Sequence, residues 1–251
     1  MAQISSANTG KVPGKPLQGA VALVTGGSRG IGKAIVTKLS ALGAAVSFCG
    51  RDEEKLRSTA KALESAGARV LAFRANVTKE NEIAALVAST EKELGGISIL
   101  VNNAGTGGGG FGPIQEKTEA EWDQVMNTNL KSVFFVSRAV IPGMIARRGG
   151  DIVNISSLAG KNTFAGGGIY CASKWGLQGL SGCMAEDLRS HGIRVSTICP
   201  GSVATEFMGR GPKDPSKVLT AEDVAHAVAM LALQGPQSFI SEVHLRPVSK
   251  P

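Results

Sequence analysis

The stretch TGGSRGIGKA, residues 25–34, is the clearest indication of the fold. It follows a short apolar run, AVALVT at residues 20–25, and leads into a segment with helical spacing. Gly26 and Gly30 allow a tight turn and a close approach of the backbone, and Gly32 lets the helix pack near the sheet. The N-terminus of that helix offers free N–H groups to an anion. A strand, a glycine-rich turn and a helix in this order predict a loop that binds the phosphates of a dinucleotide.

The same letters leave two alternatives open. Gly27, Gly32 and Lys33 satisfy the pattern G-x-x-x-x-G-K of nucleotide triphosphatases, but the next residue is Ala34. That position needs a hydroxyl group to bind magnesium, so the alanine argues against a triphosphatase. The other alternative is a glycine-rich turn that binds nothing, which this motif alone does not exclude.

Seven short apolar runs alternate with longer segments of helical spacing. The runs lie at residues 20–25, 45–50, 69–73, 97–102, 151–156, 194–199 and 242–245. Two of the helical segments have apolar residues at Ile83, Leu86, Val87 and Leu94, and at Val125, Leu130, Val133 and Phe134. Because short buried strands linked by amphipathic helices form parallel sheets, we predict the α/β class. The expected architecture is a single-domain Rossmann fold, a doubly wound seven-stranded parallel sheet with helices on both faces.

Length and composition predict one soluble domain. The chain has 251 residues, of which 43% are hydrophobic and 19% are charged. No apolar run reaches the roughly 18 residues that a membrane span needs. Residues 1–18 are polar and have no apolar signal region. We therefore expect a mobile tail at residues 1–18, a catalytic domain at residues 19–251, a cytoplasmic protein and no membrane partner.

The charged and metal-binding residue types exclude two further classes of function. The 27 basic and 20 acidic residues give a net charge of +7, but the basic residues are dispersed and only 4% of residues are aromatic, so no nucleic-acid partner is expected. The cysteines occur singly, with no histidine at ligand spacing, which predicts buried free thiols and no metal site. These cysteines are Cys49, Cys171, Cys183 and Cys199. Surface positions without a function are expected for His191, His226 and His244.

The residues after the second apolar run bear on the choice of dinucleotide. An acid about 20 residues beyond the glycines usually binds the adenosine ribose of NAD, whereas an arginine favours the 2′-phosphate of NADP. The sequence GRDEE supplies both Arg51 and Asp52, and spacing alone does not decide between them. The last residue of the strand, where the acid would stand, is Gly50. Arg51 and Arg29 then predict a phosphate clamp and NADP(H) as the cofactor.

Tyr170 is the only tyrosine of the chain, and Lys174 follows it by one helical turn in the segment YCASK. Two side chains at this spacing reach the same ligand. A free tyrosine has a pKa of about 10, and a nearby ammonium with a positively charged nicotinamide lowers that pKa. The alternative is a core tyrosine beside a surface lysine. Ser156 and Ser157 end a neighbouring strand, where a hydroxyl group would hydrogen-bond a substrate carbonyl.

Five ordered motifs together resemble the short-chain dehydrogenase/reductase family. They are T-G-x-x-x-G-I-G at residues 25–32, N-N-A-G at residues 102–105, N-L at residues 129–130, S-S before Y-x-x-x-K, and P-G-x-V-x-T at residues 200–205. The resemblance extends over about residues 18–248. The NADP-preferring branch is the most similar, and within it the 3-oxoacyl-(acyl-carrier-protein) reductases.

The resemblance implies a role for each matching residue. It selects Ser157 over Ser156, because the family's catalytic serine stands thirteen residues before the tyrosine. Tyr170 would be the general acid, Lys174 would hold the nicotinamide ribose, and Asn129 would anchor a water that relays protons. Asn102 would also line the cofactor. The implied cofactor-binding residues are Thr25, Gly26, Ser28, Arg29, Gly30, Ile31, Gly32, Arg51, Asn76, Val77, Asn103, Ala104, Gly105, Tyr170, Lys174, Pro200, Gly201, Val203 and Thr205.

Two positions depart from the family pattern. Asn76 and Val77 stand where the family has Asp-Val, which predicts altered rather than lost adenine binding. The C-terminus reads SEVHLRPVSKP and lacks the usual Gly-Gly ending, which leaves its part in assembly open.

The expected activity is NADPH-dependent reduction of a ketone or aldehyde. A 3-oxoacyl thioester is one candidate substrate, but the short segment at residues 206–219 allows smaller carbonyl compounds. Phe164 and Trp175 flank the predicted site, and residues 107–110 suggest a mobile loop at its mouth. A cofactor-binding regulatory protein is the alternative function. The resemblance also implies a homo-oligomer, a tetramer or a dimer.

Overall fold

The structure is a computed structural model that describes residues 14–108, 111–208 and 214–249. The tail up to residue 13, part of the glycine run at 107–110, and part of the 206–219 segment lie outside the described residues. The strands are β1 Val21–Thr25, β2 Ala45–Gly50, β3 Val70–Arg74, β4 Ile99–Asn102, β5 Gly150–Ile155, β6 Ile193–Pro200 and β7 Glu242–Leu245. The helices are α1 Gly30–Ala41, α2 Glu53–Ser65, α3 Glu80–Leu94, α4 Glu119–Met126, α5 Ser132–Arg147, α6 Gly168–Arg189 and α7 Ala221–Ala232.

The described strands form one seven-stranded sheet in the order β3-β2-β1-β4-β5-β6-β7, and each neighbouring pair is parallel. This confirms the predicted doubly wound fold. The order of strands reverses between β1 and β4, which are neighbours. Ligands of such sheets bind outside the carboxyl ends of the strands at this switch point. The loops after β1, β4, β5 and β6 therefore surround the candidate site.

Both faces of the sheet are covered by helices, which explains why the strands read as nearly continuous apolar runs. On one face α1 and α7 pack against Val24 of β1, through residues that include Ile35 and Val228. On the other face α3, α5 and α6 pack against Leu23, through residues that include Leu86 and Met144. Truncating a fully buried leucine such as Leu23 to alanine typically costs about 2–5 kcal/mol of stability.

The helical spacing predicted most of the core correctly. Ile83, Leu86, Val87 and Leu94 are buried in α3, and Val125 and Val133 are buried in α4 and α5. Phe134 is an exception, because it is 43% exposed and lies under the guanidinium of Arg138 at 5.1 Å from the ring centroid. Phe134 therefore follows the helical spacing of apolar residues, but its ring faces solvent and is not part of the core.

Two other expectations need correction. Leu17 is buried in the core and its N–H donates to the carbonyl of Leu42 at 2.9 Å, so the packed part of the chain begins before residue 19. Cys183 is exposed, whereas the other three cysteines are buried as expected. Cys183 lies on the exposed side of α6, so its place in a stretch of apolar and small residues does not indicate burial. Within the described residues, no helix has both the length and the apolar character to cross a membrane.

Candidate active site

Hydrogen bonds lock the turn after β1 to the segment after β4. The hydroxyl of Thr25 accepts bonds from the N–H groups of Asn103 and Ala104, both at 3.0 Å. The side-chain amide of Asn103 donates in return to the carbonyls of Thr25 and Gly26, at 2.9 and 3.2 Å. The two glycine-containing loops at the switch point therefore form one rigid wall. Asn102 lies deeper, and its amide donates to Asn154 of β5 at 2.8 Å.

The glycines of the first turn are required by its geometry. Gly26 has a φ of +68°, in the left-handed region that L side chains rarely adopt. A Cβ atom on Gly32 would lie 2.1 Å from the carbonyl oxygen of Gly26, so α1 approaches the turn as closely as backbone atoms allow. Arg29, at the N-cap position of α1, makes no capping side-chain hydrogen bond, and the first turn of α1 has no acid. The N–H groups of this helix end are thus free to bind an anion.

Two arginines lie around the end of β2, and the last residue of this strand is not an acid. Gly50 is the last residue of β2, and a Cβ atom there would lie 2.9 Å from the hydroxyl of Ser28. Asp52 is already used, because its carboxylate accepts the N–H of Lys55 at 3.1 Å and caps α2. Arg51 and Arg29 are exposed at this edge. Arg51 and Arg29 therefore make this edge of the sheet positively charged.

The residues after β3 form a local turn. The side-chain oxygen of Asn76 accepts the N–H and the hydroxyl of Thr78, at 3.1 and 2.9 Å, and the N–H of Asn76 donates to Glu82 at 2.8 Å. Val77 is buried beside this turn. The amide that replaces the family's acid thus organises the start of α3.

Asn129 lies in a π-helical turn, Asn127–Lys131, between α4 and α5. Its side-chain oxygen accepts the N–H of Thr106 at 2.8 Å, and its amide donates to the carbonyl of Thr106 at 3.0 Å and to the hydroxyl of Ser173 at 3.1 Å. Extra residues of this kind in a helix frequently occur at functional sites. Asn129 therefore ties the loop after β4 to the helix that carries Tyr170. Sequence reasoning missed Thr106 and Ser173, because neither belongs to a motif.

The three predicted catalytic side chains meet at one place. Ser157 follows the carboxyl end of β5, and Tyr170 and Lys174 lie in the first turns of α6. The side chain of Ser157 lies close enough to the hydroxyl of Tyr170 to lower its pKa. Lys174 is buried, its ammonium donates to the carbonyl of Ile155 at 2.9 Å, and its Nζ lies 5.8 Å from the centroid of the Tyr170 ring. Ser156 instead accepts a bond from the amide of Gln178 at 2.9 Å. Of the two serines, only Ser157 contacts the tyrosine.

The pKa of Tyr170 differs from the expectation. Burial raises the pKa of Tyr170 to about 12, and the nearby side chain of Ser157 offsets this only in part. Burial also lowers the pKa of Lys174 to about 8. The predicted lowering of the tyrosine pKa by the ammonium and a bound nicotinamide is therefore not seen in the protein alone, and for the cofactor-bound protein it stays a prediction. The reason is that Lys174 directs its hydrogen bond to Ile155, and desolvation disfavours the charge of both groups.

Aromatic rings surround Tyr170. Phe111 and Phe207 contact its ring edge-to-face, at centroid distances of 5.7 and 6.0 Å, and Phe164 packs on Phe111 at 5.3 Å. A small cavity of about 10 Å³ beside Tyr170, large enough for about one water molecule, is lined in part by Phe111 and Ile114. Phe164 was expected at the site, but Phe111 and Phe207 were not. Trp175 is 49% exposed on α6.

The segment after β6 reaches back to the glycine-rich turn. Pro200 ends β6, and the N–H of Gly201 donates to the carbonyl of Leu245 at 2.9 Å. Val203 pairs with Leu219 in an isolated bridge. The methyl group of Thr205 lies 3.5 Å from the position of a Cβ atom on Gly30. Of the remaining predicted residues, Ile31 packs partly buried on the core, and Gly105 lies near the ring of Phe207.

Comparison with known proteins agrees with this geometry. Residues 20–215 match the family model described as short chain dehydrogenase. A 2-(S)-hydroxypropyl-CoM dehydrogenase of Xanthobacter autotrophicus is 35% identical over 231 residues, which cover 86% of this chain and 90% of that protein. A 3-oxoacyl-(acyl-carrier-protein) reductase of Vibrio cholerae is 37% identical over 227 residues, covering 86% of this chain and 91% of the relative.

Solved structures show the same fold. The crystal structure of a metagenomic short-chain oxidoreductase in complex with NADP is 44% identical and superposes with a TM-score of 0.83. That match covers 94% of this chain and all of the other.

Proposed function

The chain belongs to the short-chain dehydrogenase family, and on that premise we propose that it is an NADPH-dependent carbonyl reductase that acts on ketones or aldehydes. The observation that carries the proposal is the buried Lys174, whose Nζ lies 5.8 Å from the centroid of the Tyr170 ring, with Ser157 beside the tyrosine hydroxyl. A tyrosine that only fills the core would not need a buried ammonium at this distance.

Bound NADPH supplies a hydride to the carbonyl carbon of the substrate. The hydroxyl of Ser157 donates a hydrogen bond to the carbonyl oxygen as negative charge develops there. The hydroxyl of Tyr170 gives its proton to the same oxygen, so the carbonyl becomes an alcohol. Burial raises the pKa of Tyr170 to about 12, so the hydroxyl keeps its proton at neutral pH but is a weak acid by itself. The positive charge of Lys174 favours the phenolate and would make the proton transfer easier.

Lys174 and Asn129 support the tyrosine. Lys174 holds the nicotinamide ribose hydroxyls, and its charge stabilises the phenolate that remains after proton transfer. Asn129 has both hydrogens of its side-chain amide in use, on Thr106 and Ser173. A water that returns a proton through Lys174 would therefore be held by an oxygen of Asn129 and not by its amide N–H groups.

The cradle around the first turn fits the phosphates of a dinucleotide. The free helix end of α1 and the absence of a Cβ atom on Gly26 and Gly32 let backbone N–H groups approach the pyrophosphate. Arg51 and Arg29 would bind the 2′-phosphate of NADPH, because Gly50 supplies no ribose-binding acid at the end of β2 and Asp52 caps α2. The NADP bound to the metagenomic relative supports this choice.

The remaining predicted contacts to the cofactor are part of the same proposal. Asn103, Ala104 and Gly105 would line it from the β4 side, and Pro200, Gly201, Val203 and Thr205 would border the nicotinamide. Asn76 and Val77 would face the adenine.

The surroundings of Tyr170 favour a compact apolar carbonyl substrate. Phe111, Phe164 and Phe207 present ring surfaces, and the cavity beside Tyr170 is only about 10 Å³, so a compact substrate would require the smallest movement of these rings. The 3-oxoacyl thioester named for the Vibrio cholerae relative is the second candidate substrate. A non-catalytic regulatory role remains the alternative function, and the buried Lys174 near Tyr170 speaks against it.

The last part of the proposal concerns the cellular location and the oligomeric state of the protein. We propose that the catalytic domain acts in the cytoplasm as a homo-oligomer. The exposed rings of Trp122, Phe134 and Trp175, on α4, α5 and α6, support an interface between copies on this side of the molecule.

The test is NADPH consumption with a panel of cyclic, aryl and aliphatic ketones and aldehydes, with acetoacetyl-CoA as the thioester and NADH in parallel. Turnover of at least one carbonyl compound with NADPH is expected, with compact ketones preferred. Tight NADPH binding without turnover of any compound would favour the regulatory role.

A further inference from the structure

Three potential metal ligands meet near the edge of the sheet, beside the proposed reductase site, where Cys199 directly precedes Pro200. Cys199 of β6 and His244 of β7 are paired in the parallel register, so their side chains lie on the same face. Glu242 is two residues before His244 and lies on that face as well. The Sγ atom, a carboxylate oxygen and an imidazole nitrogen all lie within 4.8 Å of one another.

From this arrangement we propose that Cys199, Glu242 and His244 bind one Zn²⁺ ion, with water as the fourth ligand. One sulfur, one nitrogen and one oxygen ligand form a set that zinc accepts in tetrahedral geometry. With Zn–S and Zn–O bonds of about 2.3 and 2.0 Å, neighbouring tetrahedral ligands stand about 3.5 Å apart. The measured distance from Sγ of Cys199 to Oε1 of Glu242 is 3.6 Å.

The same oxygen of Glu242 is also hydrogen-bonded to Nε2 of His244. In the zinc-bound form the metal would take the place of the hydrogen in this contact, and the thiol proton of Cys199 would pass to solvent. The three side chains therefore need only small movements to bind the ion.

Two further side chains hold the ligands in place. The amide of Gln178, on α6, donates to Sγ of Cys199 at 3.0 Å. The ammonium of Lys161 pairs with Oε2 of Glu242 at 2.8 Å, which leaves Oε1 directed at Cys199 and His244. Outer partners of this kind orient metal ligands and tune their affinity. A cluster of residues without a function would not require an amide directed at the sulfur.

The site is accessible from one side. Cys199 is fully buried, whereas the side chain of His244 is 43% exposed. An ion and its water ligand would enter beside the imidazole and meet the sulfur at the inner end. From the sequence we predict no metal site, because Cys199 and Glu242 are separated by 43 residues and are joined only by the pairing of β6 with β7.

The consequence would be structural. β7 is the edge strand of the sheet, and the ion would fasten it to β6. A ligand that binds only the folded state raises stability in proportion to the logarithm of its concentration over Kd.

The test uses the full chain without an affinity tag, freed of metal with a chelator that is then removed. Zn²⁺ is titrated by calorimetry, and Co²⁺ by optical absorption, in which a thiolate ligand gives a charge-transfer band. The proposal predicts one Zn²⁺ per chain, a thiolate–cobalt band and a higher Tm with Zn²⁺. His244→Gln and Cys199→Ser should each weaken Zn²⁺ binding at least about tenfold.

The matched controls are His226→Gln and Cys183→Ser, which replace an exposed histidine and an exposed cysteine. They should bind Zn²⁺ like the unmodified chain. Absence of stoichiometric Zn²⁺ binding, absence of the thiolate band, or equal loss of binding in all four variants would overturn the proposal. If Cys199→Ser does not fold, the exposed His244→Gln substitution and the cobalt spectrum of the unmodified chain decide the matter. None of these measurements depends on reductase activity.

Discussion

The ammonium of Lys174 lies 5.8 Å from the ring centroid of Tyr170, yet it donates its hydrogen bond to the carbonyl of Ile155. The hydroxyl of Tyr170 lies beside Ser157 instead. The lysine is therefore near enough to act on the tyrosine by charge, but desolvation outweighs that charge in the protein by itself. A protonated tyrosine at neutral pH is the form that a reductase needs.

The first prediction concerns the titration of Tyr170. Because the chain has one tyrosine, phenolate absorbance reports this residue alone, with Tyr170→Phe as the blank. The midpoint should lie near pH 12 in the folded protein and near 10 in the denatured chain. NADP⁺ should lower the midpoint through the positive nicotinamide. A folded-state midpoint at or below 10 would contradict the role of burial.

The same shift makes a prediction about stability. The folded-state pKa of Tyr170 is raised, so the folded chain binds more protons than the unfolded chain between pH 10 and about 12. The stabilisation is present below pH 10 and is lost as the pH rises through this window. Denaturant unfolding should therefore show a smaller loss of stability for Tyr170→Phe than for the unmodified chain between pH 10 and 12. Equal losses would disprove the shift.

The second site for a mutation is Thr25. Thr25→Val removes the hydroxyl that accepts the N–H groups of Asn103 and Ala104, and leaves both donors without this partner. We expect a loss of about 2–4 kcal/mol in the free energy of unfolding, because each unsatisfied buried group costs about 1–3 kcal/mol. Thr25→Ser keeps the hydroxyl and should lose far less. Similar stabilities of the two variants would show that these bonds do not hold the loops together.

Substitution of Arg51 tests whether the protein prefers NADPH over NADH. Arg51→Ala should lower kcat/KM with NADPH by roughly 10- to 100-fold, as expected for a charge-assisted hydrogen bond of about 1.5–3 kcal/mol, and leave NADH unaffected. Arg57→Ala is the matched control, because Arg57 is an exposed arginine on α2 that pairs with Glu53. An unchanged ratio of NADPH to NADH activity in Arg51→Ala would place the 2′-phosphate elsewhere.

Phe111 tests the shape of the substrate subsite. Phe111→Ala removes the ring that contacts both Phe164 and Tyr170. KM for compact apolar ketones should rise roughly tenfold, because a buried aromatic contact contributes about 1–2 kcal/mol. The exposed Phe134→Ala variant should keep the original KM. If neither variant changes KM, the substrate does not contact this ring.

The sequence predicted the sheet and the strand-end loops well, because apolar runs and glycine positions are local signals. It could not predict the direction of the Tyr170 pKa, which depends on how deeply the hydroxyl is buried and on which partner Lys174 selects. Phe134 shows a related limit, since helical spacing does not distinguish a core position from an exposed apolar one. Phe111 and Phe207 come from separate loops, and only the fold brings their rings to Tyr170.

The most direct test of the account is a comparison of Tyr170→Phe with the unmodified chain on the best ketone of the panel, with NADPH binding measured in both. Removal of a general acid typically costs about 10²- to 10⁴-fold in rate. For Tyr170→Phe we expect a loss of this size in kcat/KM, with NADPH binding unchanged. Retention of the full rate by Tyr170→Phe would contradict the central claim that this hydroxyl delivers the proton.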